Sequence, residues 1–458
     1  MAGPAAAGAD PAGAGEAARG GSDSGEAQPV VADGGGRPAS ASGGRTFSSL
    51  HTRNFRLFAT GQVISNTGSW MQRVAQDWLV LELTHNSGSA LGITTGLQFL
   101  PLLLFGLWGG MIADRYSKRR ILMVTQTAMG GLALILGILA LTHTVQIWQV
   151  YALAFGLGLA TVVDNPTRQA FAAEMVGRGG MANAIALNSA VFNLARIAGP
   201  AVAGLVISAV GTPAAFLVNA ASYAAVLISL KLMRPSELHV VQRPPRARGQ
   251  LREAMLYVKQ RPALWMTMVL IFFVSTFGMN FQVTNALMSR QVFHTSAAAF
   301  GLASTMFAVG ALGGALLAAR RGRPTMALLL SMALAFSLLE VITGLMPTFL
   351  LFVALLVPTG LALLTLTTAT NSATQLGTTA EMRGRVMGLY MLVFLGGTPI
   401  GSPLVGWVAE VFGPRMSLIA GGVISVVATL VVGGLYARMR SVRVREYLRP
   451  GRLARTVS

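Results

Sequence analysis

The chain has 458 residues, of which 53% are hydrophobic and only 11% charged, where an ordinary soluble domain carries about a quarter charged residues. A water-soluble fold cannot hide that much apolar surface, and the absence of cysteine removes disulfides, iron–sulfur clusters and thiol chemistry. The formal charge of +19 raises nucleic-acid binding as an alternative, which the placement of the charges decides.

Residues 1–48, rich in Gly, Ala, Ser and Asp, hold too few large apolar side chains to offset the entropy of folding, which predicts a disordered tail. They lack the ordered regions of a signal peptide. Apolar runs then recur at 55–84, 89–113, 121–142, 147–164, 182–210, 214–233, 264–287, 297–319, 325–346, 348–371, 386–408 and 416–437. Most are near the roughly 20 residues that a helix needs to cross a hydrocarbon core. Their continuous apolarity excludes the alternating pattern of a transmembrane barrel. The expected fold is therefore all-α and integral to the membrane, with twelve transmembrane helices, a multi-pass topology and the lipid bilayer as solvent.

Of the 35 Lys and Arg, 31 lie in the tails, in even-numbered loops or on the helix ends beside them; only Arg290 and Arg415 fall in odd-numbered loops, and Arg73 and Arg196 within helices. That asymmetry is the positive-inside rule, and it predicts both termini in the cytoplasm. The basicity thus reports topology, and no nucleic-acid partner is expected.

Residues 234–263 form a Pro- and Arg-rich linker, in which Leu251, Met255 and Val258 predict one face of a short amphipathic helix. The linker separates an N-terminal six-helix bundle, 49–233, from a C-terminal one, 264–437; a basic tail, 438–458, follows. The halves echo one another. Gly110 to Asp114 parallels Gly314 to Ala318, DNPTRQ at 164–169 parallels NSATQL at 371–376, and Gly204 with Gly211 parallels Gly406 with Gly413, at offsets of 202 to 207. Landmarks at a nearly constant offset indicate duplication of a six-helix unit, giving two pseudo-symmetric bundles.

Gly110-Met-Ile-Ala-Asp114-Arg115-Tyr-Ser117-Lys118-Arg119-Arg120 resembles the loop signature of the major facilitator superfamily between helices 2 and 3, with Ser117 where glycine is usual. ISNTGSWMQRVAQDWLVLELT in helix 1, DNPTRQAF after helix 4, NLARIAGP in helix 5 and EMRGRVMGLY before helix 11 resemble the exporter branch that includes the enterobactin exporter. The resemblance spans residues 50–437. It implies secondary active efflux from the cytoplasm across a bacterial cytoplasmic (inner) membrane, drug or siderophore export being the type, with a small molecule and protons as partners and no cofactor. A monomer is expected.

Charge within a membrane helix costs at least ~2.5–3.5 kcal/mol at the helix centre, so each such residue needs a partner or a purpose. Helix 1 carries Asn66, Trp70, Arg73 and Asp77 along one stripe, with Arg73 and Asp77 spaced as an i, i+4 pair. Two readings stand: Asp77 is a proton carrier whose balance with Arg73 changes during transport, or the two are a permanent ion pair. The family fold implies that helices 1, 4, 7 and 10 line the substrate cavity. Helix 5 bears Ser189, Asn193 and Arg196, the last a candidate for neutralising Asp77, meeting an anionic cargo or bonding backbone near Pro200. Gln282 and Asn285 in helix 7 and Thr367 and Asn371 in helix 10 are further cavity candidates, with polar helix packing as the alternative.

Gly199, Pro200 and Gly204 partly resemble the helix 5 signature of superfamily antiporters and fit a bending element between the bundles. Gly110, Asp114, Arg115 and Arg119 suggest a cytoplasmic gate. In it, Asp114 meets the positive end of helix 11 and Arg115 pairs with Asp164 or its neighbourhood. Glu340, in helix 9, is a carboxylate that needs either a partner or a proton.

Competing classes lose support from the same residues. The three lysines, 118, 231 and 259, stand outside any phosphate-binding loop. The five histidines lie outside the apolar runs, which leaves a membrane hydrolase without a base, so the chain is not expected to be an enzyme. Import by symport, lysolipid transport and a non-transporting sensor or scaffold stay open as alternatives.

Overall fold

In the computed structural model, residues 48–239, 250–320 and 324–447 are described. The expected disordered tail, but for Ser48, and the end of the basic tail lie outside them. Among the described residues the fold is helical, with eleven helices of 20 residues or more and a twelfth helical segment interrupted by a break. The first six are α1 (Arg53–Leu83), α2 (Gly88–Arg115), α3 (Lys118–Leu141), α4 (Ile147–Gly177), α5 (Gly180–Val210) and α6 (Thr212–Leu232). The second six are α7 (Pro262–Val292), α8 (Ala297–Arg320), α9 (Met326–Leu345), α10 (Phe349–Leu376), α11 (Arg383–Phe412) and α12 (Pro414–Tyr447).

Eleven of these are both long and apolar enough to cross a membrane. The remaining one, α1, is long enough at 31 residues but carries a polar load: Gln62, Gln72, Gln76 and Asp77 are each under 5% exposed. Hydroxyl residues start several helices where the sequence changes from polar to apolar. Ser87 accepts from the Ala90 N–H, Thr325 from Leu328 and Thr348 from Leu351, each satisfying an otherwise orphaned first-turn donor. Large apolar side chains such as Val124, Leu205 and Leu350 point outward, as a lipid-facing surface requires.

Four sequence expectations are corrected. Helix 4 does not end at 164: α4 continues to Gly177, where φ of 66° breaks the chain into α5. DNPTRQ is therefore helical rather than a loop. Helix 7 is not continuous, since π-helical turns at Val274–Gly278 and Met288–Val292 flank a break at Met279 and Asn280. Helix 12 runs on to Tyr447, into the segment read as tail. The linker helix, Gln250–Lys259, buries Ala254 and Val258 against α7 and α11 with Leu251 beside them, while Met255 is 49% exposed. The register i, i+3, i+7 thus replaces the expected face.

The duplication is visible in the backbone. Gly211 ends α5 with φ of 84° and Gly413 ends α11 with φ of 90°, both in the left-handed region open to glycine. About two turns earlier, Gly204 lies against the backbone of Ala297 and Ala298 at the start of α8, and Gly406 lies against that of Gly88 at the start of α2. A methyl group at Gly204 would come 2.9 Å from the Ala298 Cα, so the two bundles meet along α5–α8 and α2–α11 through close backbone approach.

Candidate polar pathway between the bundles

Of the two readings of the polar stripe of α1, the permanent Arg73–Asp77 ion pair is not formed. Arg73 turns its guanidinium over the ring of Trp70, 4.7 Å from the centroid, with Phe99 at 5.8 Å. Asp77, 1% exposed, accepts a hydrogen bond at Oδ1 from Gln282 Nε2 of α7, 3.1 Å away. Its Oδ2 is buried without a partner. An aromatic face offers the guanidinium an attraction of its own, so spacing alone did not dictate the pair.

Trp70 joins this cluster to α5. Its ring meets Phe192 edge to face at 5.8 Å, and Gly199 lets α5 approach the Trp70 Cβ more closely than a side chain would allow. Arg196 donates to Asn193 Oδ1 at 3.0 Å, Asn193 donates to the Ser189 carbonyl at 2.8 Å, and Arg196 Nε is buried without an acceptor. The expected neutralisation of Asp77 by Arg196 is not among these contacts.

Asp164 does not pair with Arg115. Thr125 and Gln126 of α3 donate to its Oδ1 at 2.7 and 2.8 Å, and Arg168, one turn along α4, forms an ion pair with Oδ2. Arg168 also reaches α1, donating to Gln62 at 2.9 Å and to Asn66 at 3.0 Å. Reading helix 4 as ending at Asp164 concealed Arg168. The i, i+4 spacing of Asp164 and Arg168 within DNPTRQ was the available signal. Arg115 is exposed, 5.9 Å from the ring of Tyr116. Arg119 instead binds the carbonyls at the end of α6, Leu230 at 2.7 Å and Lys231 at 3.2 Å, completing unsatisfied C-terminal acceptors. Gly110 is half-buried in α2, and Asp114 is exposed on its last turn.

Of the remaining cavity candidates, Asn285 is buried with its Oδ1 unpartnered, and Ser289 likewise at Oγ. Thr367 donates to its own helix at Leu364, and its carbonyl accepts from Tyr390 of α11, which also bonds Thr370. Thr367 therefore takes part in polar packing between α10 and α11. Asn371 accepts from Gln375 on the same helix, at 2.7 Å. Glu340 is 2% exposed, its Oε2 is unpartnered, and it lies beside Gly278 in the π-helical turn of α7 and Gly421 of α12.

Several contacts join the bundles toward one end. Ser87 Oγ and the Ser89 N–H donate to Glu410 of α11 at 2.8 and 2.7 Å, and Arg290 donates to Asn86 Oδ1 at 3.3 Å. Gln291 bonds the Asn86 carbonyl, and Thr305 of α8 donates to the Ile197 carbonyl of α5 at 3.3 Å. At the opposite end, Gly384 and Gly388 of α11 face open space. The sequence offered no motif for Glu410 or Asn86. Only their position beside helix ends at Gly413 and Ser87 placed them.

A family model described as transmembrane secretion effector matches residues 44–447. The staphyloferrin A transporter of Staphylococcus aureus is 26% identical over 383 residues, covering 82% of this chain and 94% of that one. The multidrug efflux pump Tap of Mycolicibacterium fortuitum is 26% identical over 377 residues, covering 80% and 90%. Among solved structures, an inward-facing, unoccupied bacterial homolog to the human lysosomal transporter Spinster has a TM-score of 0.67 at 15% identity, over 83% of this chain and 96% of that one.

Proposed function

The chain belongs to the transmembrane secretion effector family of major facilitator transporters, a multi-pass membrane transporter and not an enzyme, and from that premise we propose that it exports a small amphiphilic compound in exchange for protons. The bacterial cytoplasmic membrane is its site of action, with all twelve helices spanning and both termini inside. The relatives named for staphyloferrin A transport and multidrug efflux support the outward direction and an amphiphilic cargo. Arg73 and Arg196 favour one with an anionic group.

The observation that carries the proton is the setting of Asp77: buried, held at one oxygen by Gln282 of the other bundle, and unpartnered at the second. A carboxylate so placed can take a proton at Oδ2, and the Gln282 bond must break or re-form when the bundles rock. Protonation and bundle position are thereby linked at one residue. In the arrangement described, Glu410, Asn86 and the Gly204 and Gly406 contacts close the outer side. Transport then requires those contacts to part while Asp114 of α2 closes against the N-terminal end of α11.

The test is a drive experiment. In everted vesicles, an inward-acid gradient should accumulate a fluorescent amphiphile, and a protonophore should release it. Accumulation that depends on a sodium gradient and ignores the protonophore would remove protons from the scheme.

A further inference from the structure

The geometry points to an anionic phospholipid headgroup site at the linker end of the C-terminal bundle, remote from the polar pathway. A cavity of about 1200 Å³ opens there between the starts of α7 and α9 and the ends of α10 and α12, above the ~300–1,000 Å³ typical of small-molecule sites. Gln260, Arg261, Thr267, Thr325 and Tyr436 supply its polar lining, and no carboxylate is among the described residues that line it. A cation with no carboxylate paired to it among the described residues, at the membrane boundary, calls for an anion from outside the chain.

Arg261 carries the assignment. Its guanidinium stacks on the ring of Tyr257 at 3.7 Å, and its Nη1 is buried with no acceptor. The contact with Tyr257 holds the guanidinium in place, and the part of Arg261 that lines the cavity is available to meet phosphate oxygens. Met326 and Ala327, the first residues of α9, also line the cavity, and a helix start adds partial positive charge where the phosphate would sit. Beside these polar groups the lining has an apolar part, with Leu264, Leu329 and Leu376. A free phosphate has no use for that part, whereas the upper part of an acyl chain does. Basic pockets between helices on the cytoplasmic side are where acidic lipids are held.

Occupancy has a structural consequence. Tyr257 also accepts from the Thr379 N–H at 3.0 Å, tying the linker helix to the turn before α11. A lipid that holds Arg261 therefore holds Tyr257 and the linker in place.

Native mass spectrometry of the full chain, equilibrated with equal phosphatidylglycerol and phosphatidylcholine, tests the site. The parent should retain phosphatidylglycerol about tenfold over phosphatidylcholine, the factor expected from a charge-assisted bond. Arg261→Gln should abolish that preference, while Arg261→Lys keeps part of it. Arg120→Gln, an exposed cation elsewhere on the basic side, should leave it unchanged. Equal retention of the two lipids by the parent, or an undiminished preference in Arg261→Gln, would overturn the site. So would displacement of the lipid by millimolar inorganic phosphate. Should Arg261→Gln fail to fold, a photoreactive phosphatidylglycerol decides with the parent alone: crosslinks at 260–267 and 325–329 support the site, and crosslinks confined elsewhere refute it.

Discussion

Gln282 donates its amide to Asp77 across the boundary between the bundles, at 3.1 Å. A buried hydrogen bond of this kind contributes about 0.5–1.5 kcal/mol net, enough to shift a two-state balance by roughly 2- to 12-fold. Gln282→Leu should therefore move the protein toward the outward-open form. The chain has no cysteine, so Ala203→Cys, buried beside the α5–α8 seam, reports opening directly. Its labelling by a membrane-impermeant maleimide should rise by about two- to tenfold in Gln282→Leu.

Glu410 accepts from two groups at the start of α2. Glu410→Gln retains the shape but removes the charge, reducing two charge-assisted bonds to ordinary ones at a cost of about 1 kcal/mol. Labelling of Ala203→Cys should increase about fivefold, with little change in thermal stability, because the contact exists in only one of the two states.

Gly204 and Gly406 are equivalent by the internal duplication, and each touches backbone of the other bundle. Valine at either position should overpack the seam by about 1–3 kcal/mol. Two equal outcomes are expected in the same labelling measurement: Gly204→Val and Gly406→Val each favour the outward-open form. A large effect at one and none at the other would break the equivalence.

Asp164 is fully buried and ion-paired to Arg168. Arg168→Ala strands that carboxylate and should cost about 3–5 kcal/mol, lowering the unfolding temperature in detergent. Combining Asp164→Asn with Arg168→Leu should recover most of the loss, since neither partner then leaves a buried charge behind.

The helices were legible in the sequence because a succession of apolar runs of membrane length can be kept from water only by a bilayer, and the duplication because glycines at Gly204, Gly211, Gly406 and Gly413 answer to backbone geometry. Polar pairing was less so. Arg73 has the right spacing for Asp77 but chooses Trp70, since an i, i+4 interval permits a contact without ranking it against an aromatic neighbour. Arg168 was hidden by an apolarity criterion that ended helix 4 at its first charge, although Asp164 and Arg168 neutralise each other within it. The break in α7 lies where Gly401 of α11 and Gly421 of α12 approach its backbone, and Asn280 bonds the Thr276 carbonyl there, a local signal that apolarity does not show. Glu410 and Gln282 act across elements far apart in the chain, where spacing carries no information.

The most direct test of proton-coupled export is proton movement in liposomes containing the parent or Asp77→Asn, with an internal pH dye and an imposed gradient of cargo. The parent should move protons against the cargo flow, and Asp77→Asn should pass cargo down its own gradient with no accompanying pH change. Proton movement that persists at the parent rate in Asp77→Asn would contradict the role of this carboxyl, and cargo flux without proton movement in the parent would contradict proton coupling itself.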